Sequence, residues 1–251
     1  MSTAKAQVVE VVPGLYRLAD IRSVNAYVWR PRPEQRAEAE PILFDCGWPW
    51  SGRALVSGLA ALSCPPTEIK KIAITHADLD HAGRLASLQA VSGAEVIAHA
   101  AEAERLTHDT WRALPGNRGA INLVAGVAGM LSARWPPHHP VRATRLVQDG
   151  DEIGGGWVAV ASPGHTPGHT SYFHPGLRML IAGDALGSIR NGQMRAPQPM
   201  FTEDCEVAAR SVRRLAELEP EIICFGHGPE LQGAAEPLRR LAECLTAEGE
   251  R

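Results

Sequence analysis

The sequence contains no uninterrupted apolar run near the roughly 18 residues that a membrane-crossing helix requires. Residues 1–14 lack the continuous apolar centre and small-residue cleavage site of a secretory signal. Both absences lead to the expectation of a soluble cytoplasmic protein with no membrane partner. Charge of one sign is also missing: the formal net charge is −3, with acids and bases mixed along the chain, so there is no basic footprint for nucleic acid. The five cysteines, Cys46, Cys64, Cys205, Cys224 and Cys244, form no Cys-x-x-Cys pair, which removes a zinc knuckle or a redox motif and leaves them as free thiols. There is no internal repeat and no low-complexity tail. Oligomeric state has no signature here, and the partner class left standing is a small-molecule substrate.

What the chain does have is 251 residues at 45% hydrophobic content, enough for a sizeable core in one domain spanning residues 1–251. Short β-branched or aromatic runs at 8–12, 15–18, 25–29 and 41–44 read as strands broken by turns. Helical spacing follows at 51–62, a buried-type strand at 71–74, helical periodicity again at 82–91 and a strand at 94–98. From about 101 to 135 the chain is rich in Ala, Gly and Leu with helical patterning, as expected for an inserted helical lid. Strands resume at 144–147, 157–161, 170–173 and 179–182; a helix at 205–218, a strand at 222–225 and a helix at 234–247 complete the order. Two runs of strands, each followed by helices, predict an α/β fold of two face-to-face sheets with helices outside, an αββα four-layer sandwich. Periodicity alone leaves other mixed folds open, and the polar residues narrow the choice.

Thr75-His76-Ala77-Asp78-Leu79-Asp80-His81 places four ligand-type side chains within six residues, directly after a predicted strand. A tight loop of this kind can present side chains to two sides and address two cations, whereas an exposed polar turn is the bland alternative. Three further signals share one design, in which an apolar strand runs into a glycine and delivers a ligand at the sheet edge. They are Gly164-His165-Thr166-Pro167-Gly168-His169, then Gly183-Asp184, then Gly226-His227.

Together these motifs resemble the metallo-β-lactamase superfamily, particularly its glyoxalase II-like and lactonase-like branches, from Asn25 to His227. The resemblance implies that His76, Asp78 and His165 bind one metal ion, that Asp80, His81 and His227 bind the other, and that Asp184 bridges them. The implied cofactor is two divalent ions, zinc first, with manganese or iron as alternatives. The family pattern most often reads H-x-H-x-D-H, and this chain has Asp78 where the second histidine stands. Two divalent ions against three carboxylates and a hydroxide leave a formal total near zero, a weaker Lewis acid, and oxygen donors favour harder ions.

The implied activity is that of a dinuclear metallo-hydrolase in which a hydroxide shared by the ions attacks an ester-like bond: thioester, lactone or carboxylic ester. Asp80 is then the catalytic residue that orients this nucleophile or accepts its proton. Asp45, at the end of a predicted strand, is expected to support a ligand from behind, and His169 to neighbour the site without joining it. Trp48 and Trp50, with Trp111, Met130 and Trp135 of the predicted lid, are candidates to line an apolar substrate cleft, against the alternative of plain packing. Arg84 reads as a solvated helix residue, with contact to an anionic substrate as the alternative, and His99, His108, His138, His139 and His174 match no motif.

Alternatives from other classes are a diiron redox enzyme, favoured only by Asp78, a mononuclear iron protein of persulfide dioxygenase type, a β-lactam hydrolase, and a non-catalytic module. The complete set of seven ligand positions opposes the last. Glyoxalase II itself is disfavoured by the short stretch after His227, and a flavodiiron protein by the lack of room for an attached flavin domain.

Overall fold

The structure is a computed structural model, described over residues 7–19, 23–31, 40–107, 140–190 and 193–249. The first sheet contains β1 (Gln7–Val12), β2 (Leu15–Ala19), β3 (Ala26–Trp29), β4 (Ile42–Phe44), β5 (Lys71–Ala73), β6 (Glu95–His99) and β7 (Arg145–Val147), paired in chain order. Pairing is antiparallel up to β4 and parallel from β4 to β7. The second sheet draws on β8 (Glu152–Gly154), β9 (Trp157–Ala161), β10 (Thr170–His174) and β11 (Met179–Gly183). A separate hairpin of β12 (Gly187–Arg190) and β13 (Gln193–Arg195) precedes β14 (Ile222–Phe225) and β15 (Leu231–Gln232), and the second sheet runs β15-β14-β11-β10-β9-β8.

Period-two alternation sorts the side chains into layers. On β4, Ile42 and Phe44 face the second sheet, where they join Tyr27, Trp157, Tyr172 and Ile181, while Leu43 faces the opposite way. Leu43, Val28, Ile72 and Val96 bury instead against Leu55 and Leu59 of α1 (Gly52–Ala61) and Leu85 and Leu88 of α3 (Leu85–Ser92). On the other flank, Leu180, Phe173 and Ile223 pack on Val212 and Leu215 of α5 (Cys205–Glu217) and Leu238 of α6 (Ala235–Gly249). Each sheet thus has one face on its partner and one on helices, which is the αββα sandwich expected from the element order. No helix among the described residues is long and apolar enough to cross a membrane.

The structure departs from the sequence expectations in particular places. The expected loop after β5 already turns helical as α2 (Leu79–Ala82), and the helix expected at 82–91 starts only at Leu85. The break falls at Gly83, where a Cβ would lie 2.3 Å from Leu79 O and 2.4 Å from Pro49 Cδ. β8, β15 and the β12–β13 hairpin are too short to show a period. The predicted lid begins with α4 (Ala100–Leu106). The remainder of that segment, with Trp111, Met130, Trp135, His108, His138 and His139, lies outside the described residues.

Candidate metal centre

Parallel pairing sends β4 and β5 to one edge of the first sheet, and β11 and β14 to one edge of the second, so the segments that follow them converge. Bonds between the sheets close this edge: Thr170 N–H donates to Thr75 O at 2.9 Å and Asn25 N–H to Gly226 O at 2.8 Å. The converging segments bring together all seven residues assigned to metal through the resemblance. Ligand atoms of His76, His165 and Asp184 lie within 4.8 Å of one another, and so do those of Asp80, His81 and His227.

Asp78 stands with the first group, its Oδ2 3.6 Å from His76 Nε2 and 3.4 Å from His165 Nε2. Asp184 reaches both groups, Oδ1 lying 3.4 Å from His81 Nε2 and Oδ2 3.8 Å from His165 Nε2 and 3.4 Å from His227 Nε2. Asp80 Oδ2 is 3.4 Å from His227 Nε2 and 3.8 Å from His81 Nε2. These separations exceed an ordinary N–H···O bond. They suit donors arranged tetrahedrally at about 2.1 Å around a shared cation, whose edges are roughly 3.4 Å.

The histidines are oriented for that task. His81 Nδ1–H donates to Asp45 Oδ2 at 2.8 Å, and His227 Nδ1–H to Ser23 O at 2.6 Å. Thr75 Oγ1 gives its hydrogen to Asp45 Oδ2 at 2.8 Å and therefore accepts from His76 Nδ1–H at 3.0 Å. In its neutral form each of the three rings therefore presents the Nε2 lone pair to the carboxylate cluster, the tautomer a metal ligand needs. Among the described residues His76 Nε2 and His81 Nε2 are buried without a hydrogen-bond partner, an arrangement a cation would satisfy. A Cβ at Gly226 would lie 2.2 Å from Asp184 Oδ1, so the bare glycine keeps room for that carboxylate. The residues present fit a divalent metal centre.

Charge in the protein alone tells the same story. Burial works against the charged form of His81, but Asp184, Asp80 and Asp45 outweigh it and raise its pKa to about 9. Burial likewise opposes protonation of His227, which Asp184 and Asp80 lift to about 11. Asp184, despite burial, is held well below the usual carboxylate range by His227 and His81. His76 is pushed down, by burial first and by His81 second. Without metal, protons on His81 and His227 therefore stand in for cations, and ions entering the site displace them.

Asp45 lies behind His81 and Thr75 and bonds both. It is 3% exposed and also accepts Thr75 N–H at 2.8 Å, from a left-handed backbone with φ of 55°. Each group that lost this acceptor would cost about 1–3 kcal/mol. His169 Nε2 accepts Asp184 N–H at 3.1 Å, its Nδ1 meets Ser162 Oγ at 2.8 Å, and burial, then His165, lowers its pKa to about 3. A neutral imidazole thus pins the Asp184 backbone. Trp48 and Trp50 stack at 4.8 Å and 14°, with Trp48 packed on the core outside the first sheet. Arg84 Nη1 donates to Pro49 O between them at 3.1 Å, which makes it a strut for their turn. His99 caps α4 through Ala101 N–H, and His174 accepts from Leu177 N–H.

Some residues in the site's surroundings carried no signal in the sequence. Asn25 Nδ2 donates to Phe225 O at 3.0 Å and Gly228 O at 2.6 Å, holding the loop that bears His227. Glu102 sits in an Ala-rich stretch with nothing to mark it, yet it is fully buried against two ligand loops.

The two-sheet sandwich is an architecture shared with solved metallo-β-lactamase-fold proteins. A Cronobacter sakazakii metallo-beta-lactamase with a HARLDQ motif matches at a TM-score of 0.69 and 24% identity, over 98% of this chain and 93% of its own. A metallo-beta-lactamase family protein from Thermus thermophilus matches at 0.65 and 24%, over 96% and 82%. At such identities the likeness concerns the fold. Residues 19–227 match the metallo-beta-lactamase superfamily model, and the chain belongs to that superfamily. Among its relatives, the probable metallo-hydrolase YflN of Bacillus subtilis is 31% identical over 212 residues, 76% of each chain. A hydroxyacylglutathione hydrolase of Rhodobacter capsulatus is 29% identical over 161 residues, 64% of this chain and 48% of that one, about half of the relative's length.

Proposed function

We propose that this protein is a metal-dependent hydrolase that holds two divalent ions and cleaves an ester-like bond, a thioester, lactone or carboxylic ester. One observation carries the reading: the single carboxylate of Asp184 lies 3.4–3.8 Å from His165, which clusters with His76 and Asp78, and from His81 and His227, which cluster with Asp80. Relatives named as metallo-hydrolases and hydroxyacylglutathione hydrolases support hydrolysis as the reaction class. Bound divalent ions supply a nucleophile made from water near neutral pH and an electrophile for the substrate carbonyl.

The chain's own residues do the rest. Asp45, Thr75 and Ser23 fix the ring orientations of His81, His76 and His227, so no reorganisation is needed at the moment of reaction. The side chains of Asp78, Asp80 and Asp184 are 17%, 21% and 19% exposed and that of His227 41%, while those of His76 and His81 are fully buried, so the substrate approaches from the side of the carboxylates and His227. Asp80 turns one oxygen to the second group and keeps the other to orient the attacking water and take its proton. The Trp48–Trp50 stack, braced by Arg84, is a candidate apolar wall for the substrate.

Elemental analysis of protein purified without added metal should find close to two ions per chain. Chelation should abolish, and reconstitution restore, hydrolysis within a panel of thioester, lactone, phosphodiester and β-lactam substrates. At most one ion after reconstitution with zinc, manganese and iron would overturn the two-metal reading and favour a mononuclear iron protein.

Asp78 favours a second reading, iron redox chemistry, because it gives both positions two imidazoles and two carboxylates once Asp184 is shared. Such oxygen-rich sets suit manganese and iron as well as zinc. Asp78→His should keep two ions bound and raise the zinc fraction relative to manganese and iron in identical growth media. Unchanged metal ratios would place Asp78 outside the coordinating set and remove the support for iron.

A further inference from the structure

Glu102 is a carboxylate with no exposed surface, and no cation pairs with it among the described residues. Burying a charge is expensive unless its oxygens are satisfied. Here each oxygen takes one backbone N–H: Oε2 from Ala77 at 2.7 Å and Oε1 from Gly168 at 2.9 Å. Ala77 is the residue between His76 and Asp78, and Gly168 lies in the turn between His165 and His169. One side chain on α4 therefore ties together the two loops that furnish the first donor group, although they stand 25 and 66 residues away from it in sequence.

Gly168 is part of the same device. A Cβ there would lie 2.9 Å from both Cγ and Oε1 of Glu102 and 2.8 Å from His99 Nδ1, so any larger residue would push the loop off the carboxylate. The second donor group is braced by other means, Asp45 holding His81, and Ser23 with Asn25 holding His227 and its loop. Asp45 also reaches His76 through Thr75 and so touches both groups. Glu102 bonds only the backbone beside the first group's residues: Ala77 adjoins His76 and Asp78, whereas Asp80 and His81 follow further along the same loop, within α2.

We propose that Glu102 is a positioning residue selective for the metal position formed by His76, Asp78 and His165. It sets the spacing of the two loops that carry those ligands, and it rests on the two-metal reading above. A residue with only a general structural role would lower stability without distinguishing the two positions. Selectivity between positions is therefore the property to measure.

The experiment is a Zn²⁺ titration against a chromophoric chelator at fixed pH, with Glu102→Gln introduced into wild type, His227→Ala and His165→Ala chains. The His227→Ala background leaves the first position to be read, and there Glu102→Gln should weaken Zn²⁺ binding roughly tenfold to a hundredfold, as residues behind metal ligands do. With His165→Ala, which leaves the second position, affinity should change by less than about twofold. Equal weakening in both backgrounds, or none with His227→Ala, overturns the proposal. A wild-type chain that takes up fewer than two Zn²⁺ overturns the two-metal reading, and this proposal with it. Should Glu102→Gln not accumulate as folded protein, Gly168→Ala makes the same discrimination, because it displaces the carboxylate without removing it.

Discussion

Asp184→Asn should lose most of its metal and its turnover together, the latter by roughly 10³-fold or more. Residues that only orient a ligand typically cost about 10- to 100-fold, and Asp184 is asked to do more, since it alone faces both donor groups. Its Oδ1 is 3.4 Å from His81 Nε2 and its Oδ2 3.4 Å from His227 Nε2 and 3.8 Å from His165 Nε2. An amide keeps the shape but halves the acceptor capacity and removes the charge that both positions share. The fold should persist. Asp184 lies past the end of β11, and its backbone N–H bond to His169 Nε2 does not depend on the side chain. Elemental analysis, turnover and the melting curve of the metal-free variant, measured together, check this. Two retained ions with undiminished turnover would remove Asp184 from the centre, whereas a lost melting transition would show that its role is in the fold instead.

The sequence displayed the His and Asp residues that cluster here because their pattern is local. A histidine or aspartate directly after an apolar strand and a glycine is visible without knowing which strands pair, and the H-x-D-x-D-H spacing survives whether its loop is extended or, as found, ends in α2. The sandwich was legible for a related reason: strands such as β10 and β11 are long enough to show their buried character, and helices such as α5 place apolar residues on one face. The supports behind the ligands were far less visible. Glu102 meets its partners across 25 and 66 residues, and Asn25 reaches Phe225 across 200, so each is a product of tertiary closure with no local pattern. Asp45 was the exception, because it too stands at a strand end. Short elements failed for want of length, as at β15, a strand of two residues.

The supports also explain how a cluster of three aspartates and four histidines is held together at all. The rings of His76, His81 and His227 each spend their Nδ1–H on a fixed oxygen, and those oxygens belong to separate elements: the turn after β4 for Asp45, the end of β5 for Thr75 and the segment before β3 for Ser23. Pulling one strand out of register would therefore misdirect several lone pairs together. Preorganisation at the site and register in both sheets are one constraint, which ties metal affinity to folding.

Gly226→Ala is the second change expected to silence the site, and it does so without touching any ligand. Gly226 follows β14 and immediately precedes His227. Its backbone is not in the left-handed region, so alanine is tolerated there on conformational grounds. The obstacle is space: the new Cβ would lie 2.2 Å from Asp184 Oδ1, 2.8 Å from His81 Cε1 and 3.2 Å from Gly183 C. The His81 ring is held by Asp45, and Gly183 is bound to Gly226 through a backbone N–H···O bond of 2.9 Å, so neither can retreat. The Asp184 carboxylate is the freest of the three and must rotate away, which opens both positions at once. Metal content and turnover should consequently fall about as far as in Asp184→Asn, roughly 10³-fold for turnover. Gly233→Ala is a control for the loss of a glycine as such: its φ of 63° makes alanine strained, but among the described residues none but its chain neighbours comes within 4 Å of its Cβ position, and β15 separates it from His227. It should lower the melting temperature while leaving two ions bound. If Gly226→Ala keeps both ions and wild-type turnover, the crowding at Asp184 is not the constraint that the geometry describes.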